Sequence, residues 1–426
     1  MVSSPIFGGN EFFRQMLGDL LRMMPGAGSG VPWHFSYQLA GDIAASSGPD
    51  PNPDPMERIG FEQLSHIAEL HVNEITGMPP TPSGESLRLV PTSRGEWARR
   101  TLDTWRPVLD RLAAAAQPED AGLGGLSGLD LDSLGGAGGE GGSGEGEGEE
   151  GTGGEEAAMM ALIGQWASAM FPMLTAIQVG SVAGHLAERA LGPYEVPLAP
   201  VAGNELLVVS ANVRRIAEDW SLPPDDVRLW VAIHEIAYHS VLSRPAVAAR
   251  LAALVVEHAE RVRPDPTAMQ ELLADADPND PTALARIFGD PAAFAGAAEA
   301  AGPELGRVRA ELDALTAAMA GYVEHVTAVA AGRVIGGAVP ILEAMRRRRV
   351  GRGEGEKVAE HLFGLSLDQP QIDRGERFVT GVLERSGDVE LARMWSDAEF
   401  FATPAEIDAP GLWLARINLP KDEPAG

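Results

Sequence analysis

Ser221-Leu-Pro-Pro-Asp-Asp-Val-Arg-Leu-Trp230-Val-Ala-Ile-His234-Glu235-Ile-Ala-Tyr238-His239 reads as the start and body of one helix. Ser221 stands where a cap belongs, and Pro223 and Pro224 suit a first turn that needs no amide hydrogens. Asp225 and Asp226 suit the positive end of the helix dipole. Val227, Trp230, Val231 and Ile233 then form an apolar stripe that leads to His234.

Two histidines four residues apart share one helix face and can hold a zinc ion, and a glutamate after the first can polarise a metal-bound water. His234 and Glu235 supply the first half of that pattern, but the position four after His234 is Tyr238. His239 comes five after, about 140° round a regular helix from His234, so only a π-bulge would bring it to the same ion. A tyrosine oxygen ligates zinc poorly unless ionised, and its ordinary pKa is about 10. Without zinc, Glu235 has no activated water. Bulk water has a pKa near 15.7 against about 7 on a catalytic zinc, a gap of about 12 kcal/mol.

The remaining composition narrows the field. The chain has 426 residues, 45% of them apolar, enough for a large core. It has no cysteine, which removes disulfides, thiolate metal sites and cysteine nucleophiles, and fits a reducing compartment. No secretory leader pattern is visible in residues 1–30, where Glu11 and Arg14 interrupt the apolar run, so the expected location is cytoplasmic. The net charge of −28 argues against a nucleic-acid partner. The one basic run, Arg346 to Arg349, reads as a solvated helix end. No Walker loop, dinucleotide fingerprint or serine elbow is present.

Along the chain the expectation is mainly α, with at most a small β element near residues 193–210. An amphipathic stretch runs from Phe12 to Met24. Helices are expected over about Trp33–Ala45, from near Asp54 with Phe61, Leu64, Ile67, Ala68 and Leu70 on one side, and over Ser93–Ala116 with Trp97, Leu102, Trp105 and Leu109 as anchors. Residues 118–156 are rich in Gly and Glu and contain no Lys, Arg or aromatic residue, the composition of a disordered, self-repelling linker. Ala157 to His185 carries no Asp, Glu, Lys or Arg, but Gln165, Pro172 and Gln178 favour a broken, buried helix pair over a membrane span. Gly180 and Gly184 there allow another helix to come close. Glu205–Ser210 reads as a short strand. The division is therefore 1–117, an N-terminal helical region packing on the body; 118–156, the linker; and 157–426, the body. His66, His258 and His361 lie on helical patterns as surface or satisfied core residues.

Several blocks together resemble the zincin-like metallopeptidase family. They are Phe7-Gly-Gly, Val31-Pro-Trp-His, Glu96-Trp-Ala-Arg-Arg-Thr-Leu-Asp-Thr-Trp, Gln178-Val-Gly-Ser-Val-Ala-Gly-His-Leu-Ala, Val196-Pro-Leu, the His234 helix, Gly321-Tyr-Val-Glu-His-Val, Arg393-Met-Trp and Thr403-Pro-Ala-Glu-Ile-Asp. The resemblance implies a zincin-like helical fold and, in active members, a zinc cofactor, with a downstream Glu immediately before Gly321 as third ligand. Here that position is Ala320. Glu324, a turn later, is the substitute, and His239 and His325 are fallbacks. Three functions follow. The first is a degenerate peptidase that binds a peptide or protein without cutting it. The second is an active zinc hydrolase with a changed ligand set of His234, Tyr238 or His239, and Glu324 or His325, with Glu235 as base. The third is a scaffold recruiting through its acidic linker.

Overall fold

A computed structural model describes residues 31–46, 48–115, 172–173, 175–262, 302–351 and 353–419. The stretch Phe12–Met24, the acidic segment 118–156 and the whole of the uncharged run before Pro172 lie outside the described residues.

The described chain is mainly helical, as the periodicity implies. Helix α1 (Trp33–Ser46) precedes α2 (Pro55–Thr76), strand β1 (Arg88–Thr92) and α3 (Arg94–Ala115). Residues 175–187 form α4. Then come β2 (Glu205–Val209), α5 (Ser210–Asp219), α6 (Pro224–Leu242) and α7 (Pro245–Arg261). The C-terminal part holds the long α8 (Gly302–Val334), α9 (Ala338–Val350), α10 (Glu354–Phe363), α11 (Gln369–Ser386), α12 (Asp388–Arg393) and α13 (Pro410–Ile417).

Local chemistry sets these boundaries. Asp54 caps α2 by accepting from Met56 N at 2.8 Å, Pro55 opens the helix, and Gly77 ends it in the left-handed region at φ 64°. Replacing Asp54 with alanine is expected to cost about 1 kcal/mol, read as a lower urea midpoint. The buried side of α2 is Phe61, Ser65, Ala68 and Val72, whereas Ile67 and Leu70 are exposed, which corrects the stripe expected there. Ser221 does not cap α6. It takes φ 52° while Leu222 N donates back to Ala217 O, so it closes α5, and α6 begins at Pro224 with Asp225 and Asp226 in its first turn. Pro245 then stops continuation into α7.

The strand expected at Glu205–Ser210 is β2. Its partner β1, which the sequence reading did not find, runs parallel to it with Arg88 opposite Glu205 and Thr92 opposite Val209. Five residues with a proline inside are a weak strand signal, and the pairing is bridged from α2. Buried Ser65 Oγ accepts from Leu89 N at 2.8 Å, and Glu69 accepts from Leu87 N at 3.2 Å, covering the strand edge.

Helix α8 runs through the centre. It packs most extensively on α11 and also on α6, α7 and α2. At the α8–α11 crossing, Gly321 and Gly375 face each other backbone to backbone: a Cβ on either would strike the other helix's main chain. Gly180 and Gly184 of α4 do bring a helix close, as their spacing suggests, since a Cβ on them would meet Ser36 and Ile43 of α1. Trp97, Leu102, Trp105 and Leu109 of α3 are buried anchors. Among the described residues no single helix is long and apolar enough to cross a membrane; α6 and α7 pass that test only as a pair bent by 83°.

Candidate functional site

The His234 helix is buried almost throughout its second half, so its polar residues must find partners inside the protein. His234 lies between Trp230, stacked on it at 4.8 Å between ring centroids, and Tyr238, set edge-on at 5.1 Å. Its Nδ1 donates to Glu235 Oε1 at 3.0 Å, and its Nε2 faces Glu324 Oε1 on α8 at 3.6 Å. Glu235 is nearly fully buried, and its second oxygen accepts from Tyr194 N at 3.0 Å. Both carboxylate oxygens of Glu235 are thus engaged, one by the helix and one by the loop before β2.

That loop is built around a glycine. A Cβ at Gly192 would strike the Glu235 side chain, and Trp97 of α3 holds the Gly192 carbonyl through its indole N–H at 3.0 Å. Two residues on, Tyr194 stacks on Tyr238 at 5.9 Å. Its hydroxyl accepts from Val201 N and bonds Nδ1 of His239.

The far wall comes from α9. Arg349 donates to Glu324 Oε1, and Arg348 donates to Glu195 Oε1 at 2.6 Å and to the Arg189 carbonyl at 2.7 Å. Half of the basic run therefore turns inward: the side chains of Arg348 and Arg349 are 15% and 16% exposed, against 54% and 63% for Arg346 and Arg347. This corrects the reading of Arg346–Arg349 as a solvated helix end. Successive residues on a helix point 100° apart, so four in a row cannot all face water when one side of the helix lies on the body. Together with Val196, Met345, Leu365, Leu367 and Ile372, these groups enclose a cavity of about 90 Å³. That is room for a handful of waters and too little for a bound peptide.

The charges reinforce one another. Burial opposes the charged form of His234, but Glu235 and Glu324 outweigh it and lift the imidazole to about 9. Burial likewise opposes Glu324, yet Arg349 and His234 hold its carboxyl down at about 2. The result is a chain of alternating charge: Arg349, Glu324, His234, Glu235. Burial, with the nearby Glu324 carboxylate, pushes the Tyr238 hydroxyl well above its ordinary value. His239 is pulled down to about 4 by burial and by Arg244.

Of the residues singled out from the sequence, His234, Glu235, Tyr238 and Glu324 line one cavity. His239 and His325 do not. His239 turns to Tyr194, as its position on a regular helix dictates, and His325 has Asp388 as its charged neighbour. Ala320 is buried on the same face of α8 as Glu324 but about 6 Å along the axis, and it is the level of Glu324 that meets His234. Arg348, Arg349, Tyr194 and Gly192 were missed. The unbroken arginine run was the available signal for the first two.

Residues 31–414 match the profile of the zincin-like metallopeptidases. The chain belongs to this family. A crystal structure from Chloroflexus aurantiacus, described as a candidate hydrolase with a novel fold, is similar at a TM-score of 0.56 and 20% identity, with 92% of this chain and 99% of that one covered. At that identity the likeness speaks for the fold alone. No curated protein matches the chain.

Zinc is the metal that a zincin-like peptidase implies, and the residues present fit it poorly. A catalytic zinc takes three protein ligands and a water. His234 Nε2 and Glu324 Oε1 are two suitable donors, but a tyrosine stands where the pattern has its second histidine, and Arg349 already occupies the Glu324 oxygen. Among the described residues no group of three His, Asp or Glu side chains is arranged to hold an ion.

Proposed function

We propose that this zincin-like protein is catalytically degenerate and binds a peptide or protein partner without cutting it. The observation that carries this reading is Tyr238, which stands one turn after His234, edge-on to its ring, where a second histidine would complete the zinc pattern. Glu235 supports it, because both of its oxygens are committed to His234 and to the Tyr194 amide, leaving it as a structural clasp between helix and loop. Val196, Leu365, Leu367 and Ile372 give the cavity an apolar lining beside the ion pairs, which is chemically suited to a single side chain of a partner whose backbone stays outside. The β1–β2 pairing across the intervening acidic segment supports reading residues 1–117 and 157–426 as one body with 118–156 inserted.

One observation favours a second reading, an active hydrolase with a changed ligand set: His234 and Glu324 do converge. Metal content separates the two. Untagged full-length protein, purified beside His234→Ala and incubated with zinc at neutral pH, is expected to carry no stoichiometric zinc by elemental mass spectrometry and to leave a peptide library uncut. About one zinc per chain, lost in His234→Ala, would overturn the degenerate reading and make a substrate search the next step.

A further inference from the structure

We infer that Arg349 is a tethered cation that occupies the seat of a metal: the chain closes its own His234–Glu324 donor pair with a guanidinium. This rests on the degenerate reading above and adds a cause to it beyond the missing ligand.

The donor pair has the spacing of a metal site. His234 Nε2 and Glu324 Oε1 are 3.6 Å apart. Two donors held at 2.0–2.1 Å on one tetrahedral ion lie about 3.4 Å apart. Glu235 receives the other imidazole nitrogen, which is how a carboxylate commonly orients a ligating histidine. What a dication would meet there is Arg349, already donating to the Glu324 oxygen that faces His234. A guanidinium never gives up its proton at accessible pH, so it is a permanent positive charge. An incoming ion would have to release Glu324 from Arg349 and then sit beside the charge it displaced.

The position of Arg349 is fixed from both sides. Arg348, its neighbour, pairs with Glu195 at 2.6 Å and donates to the Arg189 carbonyl. Arg189 returns the contact, donating to the Arg348 carbonyl at 3.1 Å and to the Gly351 carbonyl. The last turn of α9 is thereby fastened to the turn that follows α4, and Arg349 projects from it into a mostly buried place. Restoring the missing histidine is therefore insufficient. Both the ligand and the seat must be given back.

The test is an epistasis experiment on the full chain. Wild type, Tyr238→His, Arg349→Gln and the Tyr238→His/Arg349→Gln double variant are incubated with zinc at neutral pH and gel-filtered. Zinc is counted by elemental mass spectrometry, with circular dichroism to verify folding and thermal melts with and without zinc. Wild type and Tyr238→His are expected to be empty. The double variant is expected to retain about one zinc per chain and to melt higher with zinc, and Glu324→Gln in that background is expected to abolish both effects. About one zinc on Tyr238→His, with Arg349 intact and wild type empty, overturns this inference and leaves the degenerate reading standing. A folded double variant that stays empty overturns it as well. Zinc on the wild type overturns both. Should glutamine at 349 prevent folding, Tyr238→His/Arg349→Lys decides the question: it keeps the charge and is expected to stay empty, and zinc on it overturns the inference.

Discussion

Replacing Arg349 with methionine is expected to lower the stability of the chain by about 3–5 kcal/mol near pH 6, the range for removing one partner of a buried ion pair. The side chains of Arg349 and Glu324 are 16% and 12% exposed, so water does little to screen the charge left behind. Among the described residues, Glu324 would retain only His234 as a charged partner, at 3.6 Å. That places the loss toward the lower end of the range. The measurement is equilibrium urea unfolding of wild type, Arg349→Met, Glu324→Gln and the double variant. The double variant is expected to be more stable than the sum of the single losses implies, because it buries no orphan charge. A cost for Arg349→Met below about 1 kcal/mol would mean that the pair behaves like a surface ion pair, and the description of α9 as the site's wall would fail.

The same chain of charges sets a pH dependence. The imidazole of His234 rises from 6.5 to about 9 on folding, so its contribution is fully present below pH 6.5 and is lost as pH climbs through 9. That rise corresponds to about 3 kcal/mol. Glu324 falls from 4.5 to about 2, so its contribution is present above pH 4.5 and disappears as pH drops through 2. These two groups therefore stabilise the fold most between pH 4.5 and 6.5. Urea midpoints taken from pH 6 to 9.5 are expected to fall steadily in the wild type and to flatten in His234→Asn. An unchanged slope in that variant would assign the alkaline loss to another group.

The helices were legible because their signals are local. A start near Asp54, the prolines at Pro223 and Pro224, and apolar residues at helical spacing fix elements without reference to the rest of the chain. β1 was not legible, because five residues become a strand only when β2 and the α2 side chains of Ser65 and Glu69 take up their hydrogen bonds. The site divides the same way. His234, Glu235 and Tyr238 stand on one helix, and their relation follows from 100° per residue. Glu324 was visible as a residue one turn beyond the expected ligand, but which turn of α8 meets His234 depends on how α8 is seated against α11. Arg349 was the hardest. A run of four arginines says that some side must face the protein, and only the packed α9 says which member faces Glu324.

The seating of α8 can itself be tested. Gly375→Ala would put a methyl group onto the Ala317 carbonyl oxygen and close to the Gly321 amide nitrogen. The obstacle is backbone on both helices, so no rotamer change can relieve it, and α8 and α11 must separate along their most extensive interface. We expect a loss of about 3 kcal/mol and a melting temperature lower by about 3–5 °C. Glu324 sits three residues beyond Gly321, so the shift would also widen its gap to His234 and flatten the alkaline pH dependence. Gly332→Ala is the control on the same helix. A Cβ there meets nothing within 4 Å, and the substitution is expected to stabilise by up to about 1 kcal/mol through helix propensity. If both glycines tolerate alanine equally, the helices do not meet backbone to backbone at Gly321 and Gly375, and the level at which Glu324 faces His234 loses its structural cause.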